Sequence, residues 1–470
     1  MKYFVDYVLL DIFKSMDHNT LVTCTEVCKR WKELIEKSKD TSEEMTLYIK
    51  SHSNLSLTEK FSNLQLERQY KNLNLKQFSM HNDFEFIVKA LNGQKNLRNL
   101  TIEKIHLRLK DFLRNLKNFQ SLEKLEIFHS EFSELNVECE KISLPNLKTL
   151  KIIEKPIVHE DYALVPFLHY LQAENLEIFY ISAIFSKSLI SNEFLLSLKL
   201  LKDLKINGKR NLENAFQILT SKEGPKIQLR KFSTESFLTS NETTVEFFYQ
   251  QRNSLEILEL NRLDFDLMKF ILHNLNLKSL KFKTFNFPSD SLNFVSIPKD
   301  LIKLEISSMT FNTRSNKFKA QQIFQFYSNI RELKLNRRDN DEENQMTLNM
   351  PELNILTIEQ FFSSQDEENS VNFDCRLPNL QIFTLISNGF SINRELLEKF
   401  KKNFPKLKFL NLFENELNKK FLNENSIQDI GLNIKLYSEE FLKENRKYER
   451  IAKSLIEPKD NINLININFI

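Results

Sequence analysis

Glycine is scarce in this chain: five in 470 residues, at Gly93, Gly208, Gly224, Gly389 and Gly431. No two stand close enough to make G-x-G-x-x-G, a phosphate-cradling P-loop or a nucleophile elbow, which argues against most nucleotide-dependent chemistry. Cysteine is scarce as well. Cys24, Cys28, Cys139 and Cys375 are too few and too dispersed for a disulfide framework, so a reducing compartment, cytoplasmic and/or nuclear, is expected rather than secretion. The opening MKYFVDYVLLDIFK is interrupted by Asp6 and Asp11 and has no small-residue cleavage site. No run reaches the roughly 18 apolar residues of a spanning helix. Charge of one sign is missing too: 66 Lys+Arg stand against 63 Asp+Glu, a net charge of +3, which gives no general argument for nucleic acid or an anionic membrane as partner. Eight scattered His, with no H-E-x-x-H and no paired acid/base motif, leave catalysis without support. No cofactor and no metal are expected; Cys24 and Cys28, four apart near His18, read as helix packing.

What the chain has is a repeat. A six-residue pattern, apolar-x-x-apolar-x-apolar, begins at Leu75, Leu97, Leu122, Leu147, Leu176, Leu201, Leu229, Leu255, Leu277, Leu301, Ile330, Leu353, Leu380 and Leu407, fourteen copies spaced 22 to 29 residues apart. The last four residues of each copy alternate apolar and polar, the period of a strand with one face buried. Between copies lie helix-like stretches such as DFEFIVKAL, LKDFLRNLKNF, NAFQILT, LMKFILHNL, AQQIFQFY and RELLEKFKKNF. Strand plus helical return predicts an α/β fold, a right-handed βα solenoid with one sheet face open to solvent. Pro145, Pro351, Pro378 and Pro405 each stand two residues before a leading Leu, where proline ends the incoming helix and turns the chain into the strand.

The pattern resembles the leucine-rich-repeat family, whose consensus continues to an Asn or Cys eight residues after the first Leu and an apolar residue ten after it. Asn388 and Asn415 meet the first position, but Ile105, Ser130, Leu263, Phe285 and Met309 occupy it elsewhere, so no unbroken Asn ladder is expected. Leu107, Phe132, Ile157, Phe265, Phe287, Phe311, Phe390 and Leu417 meet the second and predict an apolar column inside the solenoid. The organisation read from the pattern is a helical module at 1–45, a solenoid of about fourteen repeats at 46–420, and a C-terminal cap and tail at 421–470.

Residues 1–45 lie ahead of the repeat. Asp6 is placed to cap a helix carrying Val8, Leu9, Ile12, Phe13 and Met16, and Asn19 a second one in which Leu21, Cys24, Cys28, Trp31 and Ile35 follow helical spacing. The segment from Phe4 to Ile35 resembles an F-box, densest in VLLDIF (Val8 to Phe13) and VCKRW (Val27 to Trp31), and departs from it where Phe4-Val5-Asp6-Tyr7 stands in place of Leu-Pro-x-Glu. With leucine-rich repeats behind it, this resembles the F-box/leucine-rich-repeat substrate receptors of SCF-type cullin-RING ubiquitin ligases. The resemblance implies that Phe4, Val5, Val8, Leu9, Ile12, Phe13, Leu21, Val22, Val27, Cys28 and Trp31 form or support a surface for a Skp-type adaptor, and through it a cullin-RING ligase. A bare solenoid cap is the alternative for these helices.

Residues two, four and six after each leading Leu point to the open, concave face. Glu259, Lys281, Glu305 and Lys334 there alternate in sign on consecutive strands and predict a self-satisfied ladder. Two stretches are apolar: Phe128, Ile153, Ile178 and Tyr180, and Ile355, Ile382, Ile386, Phe409 and Phe413. The second, farthest from the adaptor end, is the candidate binding face for a protein target, unless the tail from Phe421 covers it. Acidic runs at 339–344 and 365–369 read as solvated loops, Leu432 to Ser438 as a closing strand, Glu439 to Leu455 as an amphipathic helix, and the last ten residues as an edge strand or tail. The function so predicted is that of a non-catalytic substrate-recognition subunit; the alternative is a leucine-rich-repeat interaction scaffold outside any ligase.

Overall fold

The computed structural model describes residues 2–14, 16, 18–38, 46–50, 71–77, 96–133, 140–154, 164–184, 189–283, 285–287, 300–306, 309–311, 329–338, 345–346, 350–361, 372–373, 377–387, 391–392, 394–413, 416–417 and 433–437. Outside them lie the expected helices at 83–91, 320–327 and 439–455, both acidic runs, Ile157, Phe390 and the last ten residues. The chain divides into two compact units, residues 1–237 with 241–255, and residues 238–240 with 256–470.

Each unit carries a parallel sheet built from the repeat. In the first, strands Thr46–Lys50, Asn72–Lys76, Asn99–Glu103, Lys124–Phe128, Thr149–Ile153, Ile178–Ser182, Asp203–Asn207 and Lys231–Leu238 pair in chain order. In the second, Ile257–Leu263, Ser279–Phe282, Lys303–Ile306, Glu332–Arg338, Ile355–Phe361, Ile382–Ser387, Phe409–Phe413 and Asn433–Tyr437 do the same. Leu100, Leu125, Leu150, Phe179, Leu204 and Phe232 fall in one register row, all buried, because the fourth residue of every copy faces inward.

A repeated backbone bond locks the register. The amides of the second and third residues of a copy both donate to the second carbonyl of the copy before it: Arg98 and Asn99 to Lys71 O (2.8 and 2.9 Å), Lys148 and Thr149 to Glu123 O (2.8 and 3.0 Å), Lys408 and Phe409 to Gln381 O (2.8 and 3.0 Å).

The first copy is corrected by that register. Leu73 and Leu75 pair with Leu100 and Ile102, so the pattern starts at position 70 and not at Leu75, and Asn74 rather than Ser79 takes the open-face position. Leu73 and Leu75 alternate with polar residues as well as Phe78 and Met80 do, and no proline marks this turn. Two strands lie outside the fourteen copies: Thr46–Lys50, and Asn433–Tyr437, which is the closing strand expected at 432–438. Neither has a leading Leu, since Glu44 and Gly431 stand at that position.

The turn into the strand is a β-turn with a buried anchor. Leu147 N donates to Leu144 O (3.1 Å), Leu353 N to Met350 O (3.2 Å), Leu380 N to Leu377 O (3.2 Å) and Leu407 N to Phe404 O (3.0 Å), which puts each of the four prolines at the second turn position, where its fixed φ belongs. Asn at the third position adds a bond that sequence pattern did not reveal: Asn146 Nδ2 donates to Gln120 O (2.9 Å) and Asn379 Nδ2 to Pro351 O (2.8 Å), reaching back one repeat.

Helical returns cover the inner face through aromatic contacts. Helices Leu109–Leu116, Lys209–Thr220, Phe265–Asn274 and Arg394–Asn403 lie where the sequence predicts them. Phe112, Phe132 and Phe167 are fully buried with ring centroids 5.1 to 5.9 Å apart, joining helix Leu109–Leu116 to the short strand Glu131–Ser133 and the 3₁₀ turn Val165–Tyr170. Phe383 packs on Phe400 and Phe404 of the last described helix and its exit (5.2 and 5.8 Å). The apolar column is confirmed at Leu107 and Phe132, which face each other on a second parallel ladder and are fully buried. Phe265 departs from it: it opens a helix capped by Asp264, so it stays half-buried while Leu263 and Leu267 turn inward.

Four strand exits are left-handed. Gln77, Lys104, His129 and Gly208 all stand seven residues after the start of their copy, with φ of 61°, 56°, 50° and 111°. Three of the four are not glycine, although this is where glycine costs least. At the same position of the next copy after His129, Glu154 instead accepts hydrogen bonds from Leu164 N (2.8 Å) and Val165 N (3.1 Å), capping the 3₁₀ turn. Burial drives its carboxyl up to about 6, against those two amides, which favour the charged form.

Candidate protein-docking surfaces

The N-terminal helices are three, not the two expected. α1 spans Lys2–Lys14, α2 His18–Val27 and α3 Lys29–Lys37. The expected second helix is broken at Cys28, whose extended backbone (φ −159°, ψ 159°) caps α3 and redirects it. That turn carries Trp31, Leu34 and Ile35 onto α1. The result is a small core: Phe13, Cys24 and Ile35 are buried, with Leu9, Met16, Trp31 and Leu34 packed around them and the Phe13 and Trp31 rings edge to face at 5.3 Å. Cys24 Sγ donates to Met16 Sδ (3.7 Å). Asp6 lies inside α1 and not at its cap; it accepts Arg30 Nε (3.0 Å) and Arg30 Nη2 (2.5 Å), tying α1 to α3 across an exposed flank.

Apolar side chains remain outside this core. Val8 and Ile12, one helical turn apart on α1, are 45% and 43% exposed, and Val27, at the end of α2, is 59% exposed. A unit this small that leaves three aliphatic side chains in water presents apolar surface that a partner can cover.

On the open sheet faces the charges are paired row by row. In the first unit Glu126 bridges Lys151 (2.9 Å) and Lys124 (3.0 Å) and accepts Thr101 Oγ1 (3.3 Å). Burial alone would raise its carboxyl; the hydrogen bonds from Lys151 and Lys124 and their positive charge outweigh that and hold it below the ordinary carboxylate range. Lys205 lies over the Tyr180 ring (4.5 Å) and 3.6 Å from Glu235. In the second unit the expected ladder is present: Glu305 stands between Lys281 (2.6 Å) and Lys334 (3.8 Å), and Glu259 faces Lys281 in the register.

The apolar rows are also in register. Ile355, Ile382 and Phe409 are direct partners on three successive strands, and Ile386 is the partner of Phe413 four residues farther along. Ile355, Ile382, Ile386 and Phe409 are each half-buried, and the tail from Phe421 expected as their alternative cover lies, apart from Asn433–Tyr437, outside the described residues. Thr357, Thr384 and Asn411 lie between the rows, with Asn411 Nδ2 donating to Thr384 Oγ1 (3.2 Å). Phe128 and Ile153 pair in the same way in the first unit.

Residues 6–39 match the F-box-like family. The match coincides with α1 to α3, so the F-box-like domain is the three-helix unit packed on Phe13. Of the residues expected to serve an adaptor, the F-box-like domain exposes Val8, Ile12, Val27 and Cys28, half-buries Leu9 and Trp31, and buries Phe13 as core support. Phe4 and Val5 lie on α1, and Leu21 and Val22 on α2, with side chains outside the described ones. Arg30, which the sequence did not single out, ties its helices together.

Among curated proteins none matches the sequence. Solved structures similar to the chain include a leucine-rich-repeat protein of Leptospira interrogans (17% identity, 86% of this chain and 93% of that one, TM-score 0.34), an internalin of Listeria monocytogenes (14%, 87% and 92%, 0.32) and the yeast Rad7–Elc1 complex (14%, 92% and 93%, 0.33). The leucine-rich-repeat fold of this chain rests on its register, its β-turns and its repeated backbone bond. Among the described residues no helix is long and apolar enough to cross a membrane.

Proposed function

We propose that the protein is the substrate-recognition subunit of an SCF-type ubiquitin ligase. The F-box-like domain docks a Skp-type adaptor, and through it a cullin-RING ligase, while the leucine-rich-repeat sheet binds a protein target for ubiquitination. The observation that carries this reading is the F-box-like match at residues 6–39 on a folded three-helix unit whose Val8, Ile12 and Val27 stay in water, ahead of a repeat sheet. Exposed aliphatic side chains around a small aromatic core are what a helical partner covers. The chain contributes position and no chemistry: holding a target beside a charged conjugating enzyme raises the effective concentration of its lysines. The four dispersed cysteines and balanced charge fit the cytoplasm and/or nucleus, where such ligases work. The test is purification of the tagged full-length chain from cells. Recovery of both an adaptor and a cullin is expected; adaptor without cullin would leave an adaptor-binding protein outside a ligase, and neither would leave the interaction scaffold.

A further inference from the structure

The open face of the second unit has two properties that together select a kind of target. Among the described side chains three of its lysines are already paired: Lys281 and Lys334 share Glu305, and Lys303 pairs with Glu332 at 2.9 Å. In the first unit Lys76 pairs with Glu103 at 2.7 Å, and Lys124, Lys151 and Lys205 each stand beside Glu126 or Glu235. A phosphate arriving at any of these must displace a carboxylate already held, and loses most of the attraction it would gain.

The second property is the shape of the apolar rows. Ile355, Ile382 and Phe409 sit on strands about 4.8 Å apart, close to the 5.4 Å rise of a helical turn. Ile386 opens the other row four residues along, about 13 Å away, and a helix with its side chains is about 10 to 12 Å wide. Between the rows the floor is short, with Thr357 and Thr384 only 5% and 6% exposed. The three strands that carry the rows, Ile355–Phe361, Ile382–Ser387 and Phe409–Phe413, are each paired on both sides, so an extended peptide lying over the rows finds no free main-chain partners there. A helix satisfies its own backbone and needs none.

We infer that these rows seat an unmodified amphipathic helix of the target, lying across the strands with an uncharged apolar stripe at i, i+4 and i+7, and that recognition reads no phosphate. This rests on the receptor reading above for calling the occupant a target.

The test is a synthetic array of peptides about 15 residues long, the length at which a helix begins to hold, each made plain and with one phosphoserine, probed with the full-length chain in complex with its adaptor. Hits sharing the apolar stripe are expected, with phosphoserine on that stripe weakening them. Binding should fall about tenfold or more in the Ile382→Ala, Phe409→Ala chain and stay within about twofold in Lys334→Ala, because Lys281 still holds Glu305. Both variants are truncations at half-buried sites, and retained adaptor binding with an unchanged circular dichroism spectrum reports that they fold. Hits that require phosphoserine, hits that survive the double variant, or no hits from an adaptor-bound chain would overturn the inference. Loss of adaptor binding with the stripe-bearing hits intact would instead overturn the ligase reading alone.

Discussion

The seventh position of the repeat offers a test with opposite signs at equivalent sites. Gly208 has φ 111°, and a Cβ built on it would come within 2.6 Å of the Ala183 carbonyl oxygen. Gly208→Ala therefore adds a backbone conformation that L residues resist, about 1–3 kcal/mol, and a contact with main chain that cannot step aside, about 1–3 kcal/mol. His129 occupies the same position at φ 50° with an exposed side chain, so His129→Gly relieves a left-handed cost of about 1–2 kcal/mol against about 0.5–1 kcal/mol of extra chain entropy. The net expectation is a loss of about 2–5 kcal/mol for Gly208→Ala and a gain of about 0.5–1 kcal/mol for His129→Gly. At about 2–4 °C per kcal/mol for a unit of this size, the thermal midpoint should fall by about 4 °C or more in the first and rise by about 1–4 °C in the second. Scanning calorimetry with a urea titration measures both. A neutral Gly208→Ala, or a His129→Gly as damaging as glycine in a strand, would refute the reasoning that the strand exit sets the backbone.

Glu154 and Glu126 predict opposite pH responses. The Glu154 carboxyl, raised to about 6, binds its proton more tightly folded than unfolded, so stability should fall by up to about 2 kcal/mol as pH rises from about 4.5 to 6 and then level off. Glu154→Gln, which keeps an acceptor for Leu164 N and Val165 N, should remove that slope and be at least as stable as the parent in urea at pH 7.5. Glu126 is held low, so its contribution is present above the ordinary carboxylate range and is lost as pH falls through its folded value; Glu126→Gln should lose about 1 kcal/mol at pH 7 and little at pH 3. In the F-box-like domain, Phe13→Ala should cost about 3–5 kcal/mol and melt the three helices, whereas Ile12→Asp should leave the helical circular dichroism intact while adaptor binding is lost.

The fold was legible because its signal repeats. Thirteen of the fourteen register positions follow from Leu-x-x-Leu-x-Leu alone, since a one-residue slip would turn Leu100 and Leu125 to solvent. Where the signal did not repeat, sequence was ambiguous. Leu75 fits two frames equally, and only pairing with Ile102 decides between them. Glu44 and Gly431 hide the outer strands because the leading Leu is what a pattern search needs. Cys24, Cys28 and Trp31 share helical spacing, and nothing in their chemistry announces the extended backbone at Cys28 that splits the helix. The left-handed exit at Gln77, Lys104 and His129 was invisible for a related reason: glycine, the residue that would mark it, stands only at Gly208. At the candidate surfaces, residue type foresaw the apolar rows and the charge ladder, but the Asp6–Arg30 tie depends on the angle between helices that Cys28 sets.

Adaptor binding by the F-box-like domain is the step on which the proposed function depends. Size-exclusion chromatography with light scattering, on the full-length chain co-expressed with a Skp-type adaptor, tests it most directly, beside a Val8→Asp, Ile12→Asp chain. A one-to-one complex is expected that the double variant cannot form while eluting as a folded protein; wild-type chain that elutes alone with its repeats folded would overturn adaptor binding.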